Sequence, residues 1–187
     1  MDSFGNGHDA EVTAESLGLR HVLIVGGSAE LWAGRNRDRW LESARELSAA
    51  ASAYGVKWLT LRPYGALGER PVDVDVDHVV RLESCGVVID PTSDGRQRLV
   101  DAFRSIGEGP INEASVAGSL YEPADGEPDL VVICGKNDRL PPSLVWELAY
   151  AELVFTETDW ISFAAQDLVA AVAQFGRRRR RFGGLDA

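Results

Sequence analysis

Residues 21–28 read His-Val-Leu-Ile-Val-Gly-Gly-Ser, a short apolar run with no alternating polar face that breaks at two glycines. A strand with water on one face would alternate polar and apolar residues. One without alternation is covered on both faces and belongs to a parallel sheet under helices. Three more runs share this character: Val56-Lys-Trp-Leu-Thr-Leu61, Gly86-Val-Val-Ile89 and Asp129-Leu-Val-Val-Ile-Cys134. Between them apolar residues fall at helical spacing. Trp40, Ala44, Leu47, Ala51 and Tyr54 make one stripe ended by Gly55. Leu99, Phe103 and Ile106 repeat the pattern before Gly107, and Leu168, Val172 and Phe175 before Gly176. The fold class is therefore α/β, an open, mostly parallel sheet flanked by helices.

Working outward, residues 1–19 are polar, aperiodic and acidic and read as a disordered leader. Residues 107–128, rich in Gly, Pro and acids, predict a surface loop around one short helix. From Leu144 to Phe155 apolar residues cover nearly the whole circumference of an expected helix. Such a helix is buried in the core or in a subunit interface, and Trp146, Tyr150 and Leu153 are its candidate interface residues. Glu147 and Glu152 would then point in different directions, and Glu152 is either a satisfied, partly buried carboxylate or a metal ligand.

The chain of 187 residues is 45% hydrophobic, enough for one well-cored domain. Its net charge is −10, and five of its 19 basic residues form the run Arg177–Arg181, leaving 14 against 29 acids elsewhere. A body so acidic repels nucleic acid and anionic membrane, except at that C-terminal run. No stretch reaches the length of a transmembrane helix and no signal-peptide pattern is present, so a cytoplasmic protein is expected. Cys85 and Cys134 sit in apolar segments and read as buried thiols rather than a disulfide or a zinc site.

Ligands of open parallel sheets bind beyond the C-terminal strand ends. Two turns there carry candidate chemistry. Gly26-Gly27 after the first strand is either a tight turn or a cradle for phosphate, and it fits neither dinucleotide nor P-loop patterns. Lys136 and Arg139 after the fourth strand are either an anion site or a solvated loop. No nucleophile–histidine–acid arrangement can be argued.

Asp129-Leu-Val-Val, Arg139-Leu140, Leu144-Val-Trp146-Glu-Leu-Ala-Tyr150-Ala-Glu152-Leu153, Phe155-Thr156, Trp160, Phe163 and Arg180-Arg181-Phe182-Gly183-Gly184 resemble the C-terminal part of the cis-prenyltransferases, the undecaprenyl diphosphate synthase family. His21–Val25 with Trp32-Ala33 resembles that family's first strand and helix start. Gly55–Leu61 resembles a further signature, and Gly95-Arg96 with Leu99–Ala102 its glycine-glycine-arginine region. The resemblance implies a truncated cis-prenyltransferase-like domain over residues 20–176 with an Arg-rich tail at 177–187.

The departures bear on function. Where the family has a magnesium-binding aspartate and a diphosphate-binding arginine, this chain has Gly27 and Leu31. Of the fourth-strand clamp only Arg139 survives, with Ile133, Gly135, Asn137 and Pro141 at its other places. Glu152 matches a metal-linked carboxylate without its aspartate partner. The helices walling the family's product tunnel shrink to residues 72–86. Ionising an allylic diphosphate requires a cation clamp on the leaving group.

The pattern therefore resembles the non-catalytic subunits of heteromeric cis-prenyltransferases. That resemblance implies a catalytic homologue as partner, Mg2+ in the partner's active site and none held by this chain alone. It also implies Arg181 and Gly183 reaching the partner's diphosphate in trans, and a cytoplasmic complex peripheral to membrane. Arg177 to Arg179 read as a solvated helix end. Gly26, Gly27, Lys136 and Arg139 are what remains of a diphosphate site. The alternatives are a self-sufficient prenyl-diphosphate enzyme with a rebuilt site and a protein that binds a prenyl lipid.

Overall fold

The structure, a computed structural model, describes residues 18–66, 68–82, 85–135 and 139–182, the last four of these by backbone only. The expected leader, apart from Gly18 and Leu19, lies outside the described residues, as do Lys136 and Gly183. The chain order is β1 His21–Val25, α1 Ala29–Ala33, α2 Arg37–Ser52, β2 Trp58–Arg62, β3 Val79–Val80, β4 Gly86–Ile89, α3 Gly95–Ile106, α4 Glu113–Tyr121, β5 Leu130–Cys134, a 3-10 turn Glu147–Ala149, β6 Glu152–Thr156 and α5 Ala165–Phe182.

The six strands form one sheet in the order β3-β4-β2-β1-β5-β6, parallel except for the short β3–β4 pair. All four strands expected from the apolar runs are present. On one face Val22, Ile24, Leu59, Leu61, Val87 and Ile89 pack with α2 and α5 through Leu47, Ala51, Leu168, Val172 and Phe175. On the other, Leu23, Val25, Val131 and Ile133 pack with Leu144. There α3 lies over β2 and β4, leaving a cavity of about 480 Å³ between Thr60, Arg62 and Val88 of the sheet and Arg98, Ala102 and Ser105 of the helix.

Local chemistry explains the helix starts. The Asn36 side chain accepts from the Arg39 N–H, the Asp94 carboxylate accepts from the Arg96 and Gln97 N–H groups, and Asn112 and Ser115 form a reciprocal capping box. Cys85 and Cys134 are buried, and burial pushes the Cys85 thiol up to about 11.

Two sequence expectations need correction. The segment from Leu144 to Phe155 is not a helix. It is a loop with one 3-10 turn followed by edge strand β6, which pairs with β5 from Leu130↔Glu152 to Cys134↔Thr156. A short all-apolar run fits a helix or a strand equally well by periodicity, and the open edge of β5 decides. The second correction concerns Gly176, which does not stop α5; the helix runs on to Phe182 and carries the arginine run with it. A helical glycine costs only about 1 kcal/mol against alanine, and Gly176 is buried alongside Phe175.

Candidate functional site

A crevice of about 570 Å³ opens beyond the C-terminal ends of β1, β2 and β5. The exits of β1 and β2 are zipped together, with the Gly26 N–H donating to the Arg62 carbonyl at 3.0 Å and the Tyr64 N–H to the Gly27 carbonyl at 2.9 Å. Both glycines are demanded by packing. A Cβ on Gly26 would lie 2.8 Å from Cys134 Cβ, and one on Gly27, whose φ is +77°, would lie 2.5 Å from Trp160 Cδ1. Trp160 stacks on Trp32 with centroids 5.3 Å apart, and Trp40 meets Trp32 edge-on at 4.8 Å. The Trp32 indole donates to the Gly26 carbonyl at 2.8 Å, tying this aromatic stack to the turn. Sequence reading missed the stack because its members come from α1, α2 and the turn after β6.

Leu31, Tyr64, Ala66, Trp160 and Ile161 make the crevice largely apolar, with Leu31 43% and Ile161 67% exposed at its mouth. Its charged lining among the described residues is acidic, Glu69 and Asp159. Glu69 Oε2 accepts from the Ala66 N–H at 2.7 Å and the Ser93 hydroxyl at 3.3 Å. Asp159 accepts from the Ser162 N–H at 2.9 Å, which holds its carboxyl below the usual range. Gly27 thus stands in the crevice wall, while Gly26 is not among the lining residues and its N–H is spent on the Arg62 carbonyl. Arg139 is exposed and its carbonyl is taken by the Tyr64 hydroxyl.

At position 27 the crevice offers magnesium no carboxylate. A protein-bound Mg2+ needs one or two carboxylates free to ligate alongside substrate phosphates. Glu69 and Asp159 each have one oxygen engaged by neighbouring loop groups, and Trp160 fills the space a carboxylate at position 27 would need. Glu152, the other candidate, starts β6 and pairs with Arg178 Nη1, which also donates to the Leu153 carbonyl at 2.7 Å. Arg178 is therefore a tie between α5 and the sheet edge rather than part of a solvated helix end. Among the described residues no three His, Cys, Asp or Glu side chains gather as a metal-ligand set.

The main buried carboxylate is Glu147. Its Oε1 accepts from Arg62 Nη1 at 2.8 Å and Arg98 Nη1 at 3.0 Å, while Asp90 Oδ2 accepts from the Nε of the same arginines at 3.0 and 3.1 Å. Burial opposes the charge on Glu147, but the two guanidinium groups win and hold its carboxyl down at about 2. The available signal was a charged residue at the end of an apolar strand, Arg62, and another directly after one, Asp90.

This square anchors the turn that presents the expected interface residues. Trp146 and Leu153 are half-buried and Tyr150 is 81% exposed. Val145, Leu148 and Phe155 add exposed apolar surface along the same stretch. Arg181 belongs to the last turn of α5.

A family model described as "Putative undecaprenyl diphosphate synthase" matches residues 84–183. The chain is 36% identical over 92 residues to a ditrans,polycis-undecaprenyl-diphosphate synthase ((2E,6E)-farnesyl-diphosphate specific) of Lactiplantibacillus plantarum, covering 48% of this chain and 35% of that protein. It is 29% identical over 154 residues to a short-chain Z-isoprenyl diphosphate synthase of Mycobacterium bovis, covering 74% of this chain and 58% of the relative. The chain thus spans between about a third and three-fifths of the lengths of these curated relatives. Among solved structures, the fold resembles a "probable undecaprenyl diphosphate synthase" from Campylobacter jejuni at TM-score 0.55 and 19% identity, covering 88% of this chain and 98% of that one. It also resembles lavandulyl diphosphate synthase from Lavandula x intermedia, solved with dimethylallyl diphosphate, at TM-score 0.58 and 18% identity, covering 86% and 96%.

Proposed function

The chain belongs to the undecaprenyl diphosphate synthase family, and from that premise we propose that it is a non-catalytic subunit that activates a catalytic homologue. The observation carrying this reading is Trp160 packed against Gly27, which leaves no space for a carboxylate in a crevice whose described charges are both acidic. Cleavage of an allylic diphosphate builds negative charge on the leaving group, which the described carboxylates of the crevice oppose. The catalytic partner holds the magnesium and both diphosphates. This chain contributes the apolar surface around Trp146, Tyr150 and Leu153 and, from the end of α5, Arg181 with the backbone at Gly183.

The experiment compares the purified chain, a catalytic homologue and their mixture for magnesium-dependent condensation of isopentenyl diphosphate with an allylic primer. The expected result is no turnover by the chain alone and a rate for the mixture above that of the homologue alone. Turnover by the isolated chain would overturn the proposal.

The apolar lining of the same crevice favours one further reading, a protein that binds a prenyl chain without reacting it. Saturable binding of an uncharged prenyl alcohol at the Trp160 crevice, with no effect on any homologue, would select that reading instead.

A further inference from the structure

At the opposite end of the sheet from the crevice, a pocket of about 480 Å³ is lined by Arg20, Lys57, Trp58, Arg81, Leu82 and Asp125, among others. Backbone bonds fix this cluster across three elements. The Arg20 carbonyl accepts from the Lys57 and Trp58 N–H groups at 2.7 and 3.1 Å, and the Lys57 carbonyl accepts from the Gly86 N–H at 2.9 Å. Arg20 and Lys57 therefore stand side by side at the entries of β1 and β2, an arrangement of like charges that is destabilising on its own. Only Arg20 is neutralised, by Asp125 at 3.3 Å. Among the described residues neither Lys57 nor Arg81 has an ion-pair partner. In a chain of net charge −10, the described lining of this concavity thus holds three cations and one acid. One wall is the half-buried Trp58 ring, which lies against β4 only because Gly86 has no side chain; a Cβ there would sit 2.3 Å from Trp58 Cζ3.

We propose that this pocket binds a phosphate monoester carrying an apolar or aromatic body, with the phosphate on Lys57, Arg81 and Arg20 and the body on Trp58 and Leu82. A doubly charged phosphate matches the surplus of two cations among the described lining residues and bridges the Arg20–Lys57 pair, removing their repulsion. A soluble phosphomonoester and a lipid phosphate headgroup present the same chemistry to this site.

The test uses the full chain. Inorganic phosphate is titrated at constant ionic strength while the amide signals of Lys57 and Arg81 and the Trp58 indole signal are followed by NMR. In parallel, sedimentation with phosphatidic acid vesicles is measured against phosphatidylcholine vesicles. Lys57→Ala/Arg81→Ala removes two charge-assisted contacts and should weaken whichever binding is seen by at least about tenfold. Arg45→Ala, an exposed residue of α2 outside the pocket, should leave it unchanged. Saturation by phosphate without vesicle binding assigns a soluble ligand, and selective sedimentation with phosphatidic acid assigns a headgroup; either result, lost in the double variant, supports the site. No binding in either arm, or binding that survives the double substitution in a variant whose amide spectrum shows it folded, overturns the proposal.

Discussion

Glu147→Gln is the most informative single change in this fold, because it removes a charge and almost no volume. In the wild type two guanidinium groups face two carboxylates, with side-chain exposures of 0% for Arg62 and Glu147, 6% for Arg98 and 19% for Asp90. The variant leaves two buried cations sharing Asp90. Stranding a buried charge in this way costs about 3–5 kcal/mol, against a total stability of order 5–15 kcal/mol for a domain. With a urea dependence of about 1–3 kcal/mol per molar, the unfolding midpoint should fall by roughly 2 M at pH 7.

The pH dependence gives a second readout. Glu147 is held at about 2 against an ordinary 4.5, so its contribution is complete above pH 4.5 and is lost as pH falls toward 2. The gap between wild type and variant should therefore be widest near neutrality and narrower at pH 3. Urea unfolding followed by circular dichroism at both pH values measures this. A variant within about 1 kcal/mol of wild type at pH 7, or a gap that does not narrow in acid, would refute the assignment of the square as the anchor of the 144–150 turn.

His21 is buried between the Gly126 carbonyl and Thr60, and burial lowers its pKa from 6.5 to about 4. The unfolded chain takes up that proton first, so stability should fall by roughly 3 kcal/mol between pH 6.5 and 4; His21→Gln, followed by thermal melting, should flatten that slope. Gly27→Asp/Leu31→Arg should give no turnover in a radiolabelled isopentenyl diphosphate assay and should lower the melting temperature, since an unfavourable φ alone costs about 1–3 kcal/mol and Trp160 must also move. Tyr150→Ala should leave the melting temperature unchanged, the side chain being 81% exposed, while weakening association with the catalytic homologue by about 2 kcal/mol or more in calorimetry if it is an interface anchor. In the intact complex Arg181→Ala should lower prenyl transfer on the order of 10²-fold, whereas Arg177→Ala should cost little. Complex assembly is verified by size exclusion, and equal rates for wild type and Arg181→Ala would withdraw the role in trans.

Apolar runs without alternation were enough, by sequence alone, to determine a covered parallel sheet, and the stripes through Trp40–Ala51 and Leu99–Ile106 determined helices, because burial on both faces of a strand or one face of a helix leaves a periodic record in the chain. The glycine pair after β1 was legible as a special turn, and the missing aspartate and arginine at positions 27 and 31 as a departure from the family. The tertiary structure decided what no local pattern encodes. Residues 144–155 have one apolar content whether coiled or extended, and it is the unpaired edge of β5 that makes their last part a strand. Glu147 and Glu152 look alike in the chain, yet one meets two buried arginines from β2 and α3 and the other a half-exposed arginine from α5. The packing of Trp160 on Gly27 in the crevice wall joins residues 133 positions apart in the chain. Contacts between distant segments depend on the register of the whole sheet, and a periodicity read within one segment carries no information about that register.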